Sequence, residues 1–204
     1  MSEASVLVGR KAPDFTAAAV LANGQIDNQF TLSTAIKDNY GLLVFYPLDF
    51  TFVCPSELIA LNHRIEEFKA RQVETIAISI DSQFTHIAWR NTAIENGGIG
   101  SVGYTMVADV KHEICRAYGV EHPEAGVAFR GTFLIDKQGI IRSQVVNDLP
   151  IGRNIEEFIR LVDALQFFEE QGEVCPANWS KGKQGMKPTA DGVADYLAKN
   201  ASQL

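Results

Sequence analysis

Three cysteines and four histidines are the side chains of this 204-residue chain with the widest chemical range. Cys54, Cys115 and Cys175 lie far apart, and the sequence contains neither a CxxC nor an HExxH motif. The nearest approach to a metal-ligand pair is His112 with Cys115, which alone does not predict a structural zinc site. Three sparse cysteines also do not fit a secreted disulfide framework. We therefore expect any cysteine with a chemical role to be catalytic or redox-active, and we expect no structural zinc site.

Cys54 is the best candidate nucleophile because the pattern around it predicts the start of a helix. An apolar strand at residues 42–46 ends at Pro47, and Pro55 suits the first turn of a helix. Apolar residues then recur at helical spacing, at Leu58, Leu61, Ile65 and Phe68. A helix N-terminus favours a thiolate through its partial positive charge and free N–H groups. Considered alone, Cys54 fits a small buried thiol without reactivity equally well.

The elements that follow predict an α/β chain with a mixed central sheet flanked by helices. A second apolar strand at residues 73–80 completes a strand–helix–strand unit, which predicts a parallel pair. A tight turn at residues 136–139 joins two strands as a hairpin. Helices are predicted at residues 83–95 and 110–118 and from Asn154 onward, and the remaining strands at 104–108, 127–135 and 140–146.

Length and composition predict one main domain, residues 1–170, followed by a C-terminal arm, residues 171–204. A hydrophobic content of 46% is enough for a full core in one domain. Past Gly172 the sequence is rich in Gly, Lys and Pro and has no sustained period, which is typical of a mobile segment. Thr189 is a plausible cap for a final short helix.

The charge and hydropathy patterns argue against two classes of partner. A net charge of -7 and a pI near 5.1 do not fit a nucleic-acid-binding protein, which needs a basic face. The chain has no run of eighteen apolar residues and no cationic, apolar leader, so no membrane partner is expected. These features predict a cytoplasmic protein.

Two motifs resemble those of the peroxiredoxins. Residues 47–54 contain PxxxTxxC, which is similar to the active-site signature of that family, and residues 129–136 read FRGTFLID, similar to the segment that supplies its catalytic arginine. The resemblance extends from Lys11 to the C-terminal helix. It implies a thioredoxin-like fold and a thiol peroxidase that reduces hydrogen peroxide and small organic hydroperoxides without a cofactor.

The resemblance also implies roles for residues around Cys54. Thr51 hydrogen-bonds the thiolate and the peroxide oxygen, Pro47 shields the cysteine from solvent, and Arg130 stabilises the developing charge. Glu57, which occupies the position of the second cysteine in a CxxC motif, orients Arg130. The strand period independently places Arg130 where an apolar residue is expected, and a buried charge needs a partner. The alternative is a strand-end arginine that reaches solvent.

Cys175 lies in a stretch, residues 172–179, that resembles the resolving segment of typical two-cysteine peroxiredoxins. The resemblance implies that Cys175 of a partner subunit condenses with the Cys54 sulfenic acid in a homodimer, commonly within a ring of five dimers. Thioredoxin or a flavoprotein disulfide reductase would then reduce the disulfide. Without the resemblance, Cys175 is an incidental cysteine in the arm. Cys115 has no signature around it and is interpreted as a core or half-buried cysteine.

The resemblance also includes two weaker matches and one departure from the family pattern. Arg153 and Trp89 match family positions of lesser weight. The GGxG loop at residues 97–100, which in the family slows the opening needed for disulfide formation, is retained, whereas a Tyr-Phe pair is replaced by Tyr196 and Leu197. Sensitivity to overoxidation is therefore expected to be intermediate.

Two other functions compete with the peroxidase. Peroxiredoxin rings can stack into a chaperone that holds unfolded clients, and the resemblance carries that alternative with it. A thiol–disulfide isomerase is a third possibility, against which the missing CxxC motif argues.

Overall fold

The structure is a computed structural model that describes residues 6–204. Its strands are β1 (Thr16–Val20), β2 (Ile26–Thr31), β3 (Tyr40–Phe45), β4 (Val73–Ser79), β5 (Thr105–Ala108), β6 (Arg130–Ile135) and β7 (Ile141–Asn147). Its α-helices are α1 (Leu32–Ala35), α2 (Cys54–His63), α3 (Ile65–Ala70), α4 (Gln83–Asn91), α5 (Glu113–Ala117), α6 (Ile155–Gln171) and α7 (Ala190–Asn200). Short 3₁₀ helices lie at Ile94–Asn96 and Ala201–Gln203.

The strands of the described chain form one mixed sheet of seven strands in the order β2-β1-β5-β4-β3-β6-β7. Strand β4 is parallel to both β3 and β5, and the other neighbouring pairs are antiparallel. The predicted α/β class, the parallel β3–β4 pair and the β6–β7 hairpin are confirmed. Because β3 is central and fully buried, the loop after it begins from a fixed position.

An aromatic cluster forms part of the core on one face of the sheet. The rings of Phe45, Tyr118 and Phe133 lie with centroids 5.0 to 5.6 Å apart, within the range of favourable aromatic pairs. Cys115 belongs to the same apolar core and has no exposed surface. Burial and the neighbouring Asp109 carboxylate raise the pKa of the Cys115 thiol. Its interpretation as a core cysteine is confirmed.

Two predicted helices are shorter or broken in the structure. The helix that begins at Cys54 is interrupted at Arg64, where the backbone leaves helical geometry (φ -110°, ψ 8°), and α3 continues the apolar face. Helix α4 starts as predicted, with the Ser82 hydroxyl accepting from the Thr85 amide, but ends at Asn91 and not at residue 95. Its end is fixed by an extended backbone at Thr92.

Two further elements begin later in the chain than the sequence predicts. Helix α5 begins at Glu113 because the Asp109 carboxylate accepts the amides of Ile114 and Cys115, and so caps the helix there. Strand β6 begins at Arg130, since residues 127–129 bond to residues 120–122 instead. Strands β1 and β2 and helix α1 were not predicted.

The described chain divides into two compact units, one ending at Ile155 and one from Glu156 to Leu204. The predicted domain limit at residue 170 stays a prediction. In the second unit, α7 starts as predicted, with the Thr189 hydroxyl accepting from Gly192, and Val174 and Met186 form an antiparallel bridge. No helix within residues 6–204 is long and apolar enough to cross a membrane. Over the same range, no three His, Cys, Asp or Glu side chains are grouped to hold a metal ion.

Candidate active site

Cys54 is the first residue of α2, as the sequence predicts, and its side chain is almost fully buried. The residue is 1% exposed, and Pro55 occupies the first turn behind it. The buried position follows from β3, which ends nine residues before Cys54 and delivers the loop of residues 46–53 to the helix start. A thiol at this place lies within the positive end of the helix dipole.

Arg130 brings a second positive charge to the Cys54 sulfur. Its Nη1 lies 3.5 Å from Cys54 Sγ and donates to Glu57 Oε2 at 2.7 Å, while its Nε donates to the Leu149 carbonyl at 2.7 Å. The residue is 3% exposed, so the alternative of an arginine that reaches solvent is wrong. The guanidinium is therefore held in place by bonds on two of its sides.

Glu57 holds two arginines at once. Its Oε1 accepts the Arg153 amide at 2.8 Å and Arg153 Nε at 2.9 Å, and its Oε2 accepts Arg153 Nη2 at 3.0 Å beside the bond from Arg130. The Nη1 of Arg153 reaches the carbonyls of Phe45 and Gly131. Sequence analysis gave Arg153 only minor weight, yet it is the main partner of Glu57.

The two arginines keep Glu57 ionised in spite of its burial. Burial alone raises the pKa of this carboxyl, but the hydrogen bonds and charges of Arg153 and the charge of Arg130 hold its pKa below the ordinary value. The group therefore contains two guanidiniums and one carboxylate. Its one unbalanced positive charge lies next to Cys54 Sγ.

Glu57→Gln is expected to lower the free energy of unfolding at neutral pH by about 3–5 kcal/mol, because two buried guanidiniums lose their counter-charge. Folding lowers the pKa of Glu57 from its ordinary value of 4.5. The ionised carboxylate therefore stabilises the fold fully above pH 4.5, and this stabilisation is lost as the pH falls through the lower pKa of the folded protein. Urea unfolding at neutral and acidic pH measures both effects, and the variant should lose this pH dependence.

The exposed Glu66→Gln variant in α3 is the matched control for Glu57→Gln. Glu66 pairs with Lys69 at the surface, where an ion pair contributes about 0.2–1 kcal/mol, so little change is expected. Equal stability of the two variants at neutral pH would contradict the structural role of Glu57.

Thr51 and Pro47 lie in the loop before Cys54, but the structure shows a different hydrogen bond for Thr51 from the one the resemblance implies. Its hydroxyl donates to the Leu48 carbonyl at 2.9 Å, across the bend of the loop. The hydroxyl oxygen keeps its capacity to accept a hydrogen bond. Pro47 is buried at the end of β3. The roles of both residues toward peroxide stay predictions.

The loop of residues 97–104 braces the far half of α2. Asn62 donates to the Ser101 carbonyl at 3.4 Å and accepts the Gly103 amide at 2.8 Å, and Tyr104 donates to the Leu58 carbonyl at 2.9 Å. These bonds hold the helix from its second turn onward. The sequence gave no signal for this brace beyond the loop glycines.

Cys175 lies in the second unit, in a setting that favours the thiol. Its Sγ is 3.5 Å from the Ala164 carbonyl, and burial raises its pKa while the charge of Arg160 acts in the opposite direction. Trp179, four residues later, packs on Phe167 with ring centroids 4.9 Å apart. All three cysteines are free thiols in this structure.

Comparison with known proteins places these features in one family. Residues 8–144 match the AhpC/TSA family, and residues 164–199 match the C-terminal domain of 1-Cys peroxiredoxin. The chain is 55% identical over 194 residues to alkyl hydroperoxide reductase C of Buchnera aphidicola subsp. Baizongia pistaciae, covering 95% of this chain and 98% of that protein.

A second relative and a solved structure agree with this. Alkyl hydroperoxide reductase C of Helicobacter pylori is 52% identical over 199 residues, which cover 98% of this chain and all of that protein. The reduced 2-Cys peroxiredoxin of Plasmodium vivax superimposes with a TM-score of 0.91 at 45% identity, over 95% of this chain and 99% of that one.

The chain belongs to the AhpC/TSA family of peroxiredoxins. It is thus an enzyme of the thiol peroxidase class, and the thioredoxin-like fold that the resemblance implies is confirmed. Cys175 lies within the second matched segment, although the description of that domain names the one-cysteine type.

Proposed function

We propose that the protein reduces hydrogen peroxide and small organic hydroperoxides through Cys54. The observation that carries this proposal is the buried Cys54 sulfur at a helix start, 3.5 Å from an Arg130 nitrogen that Glu57 holds. The thiolate donates an electron pair to the terminal peroxide oxygen, and the O–O bond breaks. The remaining oxygen leaves as an alcohol or water after taking a proton, and Cys54 becomes a sulfenic acid.

The neighbours of Cys54 act on this step through charge and position. Arg130 stabilises the charge that moves from sulfur to the leaving oxygen, as preorganised donors do in a buried site. Glu57 orients Arg130. The Thr51 hydroxyl donates its hydrogen bond to the Leu48 carbonyl, so its oxygen accepts a hydrogen bond from the O–H of the peroxide. Pro47 excludes water from the sulfur.

Cys175 then attacks the sulfenic acid, forming a disulfide and releasing water. A disulfide needs the two α-carbons within about 7 Å, and Cys54 is buried, so the first turn of α2 has to open. An external dithiol, thioredoxin or the dithiol of a flavoprotein disulfide reductase, supplies two electrons to restore both thiols. This step needs a reducing compartment, so we place the protein in the cytoplasm.

The attacking Cys175 belongs to the second subunit of a homodimer. This proposal is supported by β7, an edge strand of the sheet whose outer side pairs with no other strand of the described chain. Residues 9–12 cover only its start, by bonds to residues 139–141. Val146 and Ile151 are 42% and 58% exposed beside this edge, which suits pairing with a second copy.

A ring of five such dimers needs a further apolar interface. Phe50, Phe84 and Val110 supply exposed apolar surface away from the β7 edge strand, each at 50% exposure or more. We propose that these side chains take part in contacts between dimers.

Non-reducing electrophoresis after one equivalent of peroxide tests the intersubunit disulfide. The wild type is expected to shift fully to a covalent dimer, and Cys175→Ser is expected to remain a monomer with Cys54 oxidised. Cys115→Ala is the control and should behave as the wild type, since Cys115 lies in the core. A dimer band that persists in Cys175→Ser would refute the proposed resolution step.

A further inference from the structure

A fully buried acid–base pair lies beneath the loop that precedes Cys54. Asp49, in that loop, accepts the Tyr46 hydroxyl at 2.7 Å through Oδ1, and its Oδ2 lies 2.8 Å from His86 Nδ1. The side chains of Asp49 and His86 have no exposed surface. The Asp49 amide also donates to Asp81 Oδ2 at 2.9 Å. Sequence analysis assigned no role to Asp49 or His86, and the peroxide chemistry above does not use them.

The loop needs this anchor because Phe50, the residue that follows Asp49, has a strained backbone. Phe50 has φ 53°, a left-handed conformation that a non-glycine residue keeps only when its surroundings hold it. Asp49 fixes the chain on one side of Phe50, and the Phe50 ring packs on Trp89 with centroids 5.8 Å apart. Thr51 follows directly. The path of the chain from Phe50 through Thr51 to Cys54 therefore depends on the position of Asp49.

The partners of His86 determine how many protons the pair holds. Nε2 lies 3.2 Å from the Val107 carbonyl, which only accepts, so Nε2 carries a proton. Nδ1 and Asp49 Oδ2 face each other at 2.8 Å, and this contact also requires a proton between them. The pair is therefore neutral as a whole, whether that proton lies on nitrogen or on oxygen. Burial, opposed by His86, raises the pKa of Asp49, in accord with a shared proton.

We propose that Asp49 and His86 form a positioning pair for the peroxide reaction, and that their shared proton keeps residues 47–53 in place around Cys54. The inference rests on the proposed role of Cys54. When the pair loses this proton as the pH rises, two acceptors face each other or the bond to Val107 is lost, and the loop loses its anchor.

The other titratable groups near the pair act in different directions: the Asp81 charge raises the pKa of Asp49, and the hydrogen bond from the Tyr46 hydroxyl lowers it. These groups are Tyr46 at the end of β3, Asp81 after β4, and Tyr104 before β5, whose pKa the Asp49 charge helps to raise. Strand β5 itself contributes the Val107 carbonyl. With no cation other than His86 in contact with Asp49 among the described bonds, the pair depends on its proton to avoid a buried anion.

The test is the second-order rate constant for peroxide reacting with reduced protein, measured across pH by competition with a haem peroxidase. Asp49→Ala is expected to lower it by about 10- to 100-fold at neutral pH, the usual effect of misplacing reacting groups by about 1 Å. Asp49→Asn can accept from Tyr46 and donate to neutral His86, so it should restore the neutral rate to within about twofold. The wild type is expected to lose rate as the pH rises and the pair loses its proton, and Asp49→Asn should lack this fall.

Asp136→Ala is the matched control, because Asp136 is also a fully buried carboxylate but lies in the β6–β7 turn. It is expected to lower stability without changing the rate constant of the folded protein. Equal rate losses in Asp49→Ala and Asp136→Ala would overturn the positioning role. If Asp49→Ala does not fold, coincident pH profiles of Asp49→Asn and wild type overturn it. A wild type that does not react with peroxide would refute the proposed function itself.

Discussion

Replacement of Cys54 by serine is expected to reduce peroxide consumption to the background rate. A serine hydroxyl in this position stays protonated near neutral pH and is a weak nucleophile without a base beside it. The side chain that hydrogen-bonds the sulfur is the Arg130 guanidinium, which donates hydrogen bonds and does not accept a proton. Loss of peroxide with dithiothreitol as the reductant measures the effect directly.

The control for this substitution is the buried cysteine of the core. Cys115→Ala should keep the wild-type rate, because burial raises the pKa of Cys115 and leaves it unreactive. If Cys54→Ser consumed peroxide at the wild-type rate, the assignment of the nucleophile would be wrong.

Arg130→Met is expected to lower the second-order rate constant for peroxide by about 10²–10³-fold, the usual effect of removing one preorganised donor from a reacting centre. Methionine fills much of the same apolar space, and Glu57 remains paired with Arg153, so the fold should persist. Stopped-flow measurement of the reduced protein with hydrogen peroxide gives the rate constant, and circular dichroism checks the fold.

Arg142→Met provides the comparison for Arg130→Met. Arg142 lies on the neighbouring strand β7 and pairs with a buried aspartate, Asp136, but its side chain is 46% exposed. Its replacement should leave the peroxide rate unchanged. A wild-type rate in Arg130→Met would show that the charge near Cys54 Sγ does not contribute to catalysis.

The elements that the sequence predicted have strong local signals. Pro55 and the apolar spacing after it mark the start of α2, and the uninterrupted apolar runs mark β3 and β4. Strands β1 and β2 were missed because TAAAV and IDNQFT have weak strand propensities. They pair with each other, and β1 also pairs with β5; this non-local stabilisation is invisible in a short window of sequence.

The same reasoning explains which parts of the site were predicted. Arg130 was found because a charge interrupts an apolar strand and because its segment resembles that of the family, and Cys54 was found from a predicted helix start together with the motif resemblance. The bonds from Arg153 to Glu57 join residues 96 positions apart, and the contact of Asp49 with His86 spans 37 positions. Only the order of the strands brings these residues together. No spacing rule in the sequence could have indicated either contact.

The charges around Cys54 have a consequence for the oxidised enzyme. Arg130, Arg153 and Glu57 sum to one positive unit, which a Cys54 thiolate balances. A disulfide at Cys54 is uncharged, so its formation leaves a buried guanidinium without compensation. We expect this imbalance to favour hydration of the first turn of α2, the part of the helix that the loop of residues 97–104 does not brace. The closed form would then be stabilised by reduction and the open form by oxidation, so the redox state of one sulfur would set the conformational equilibrium of the helix.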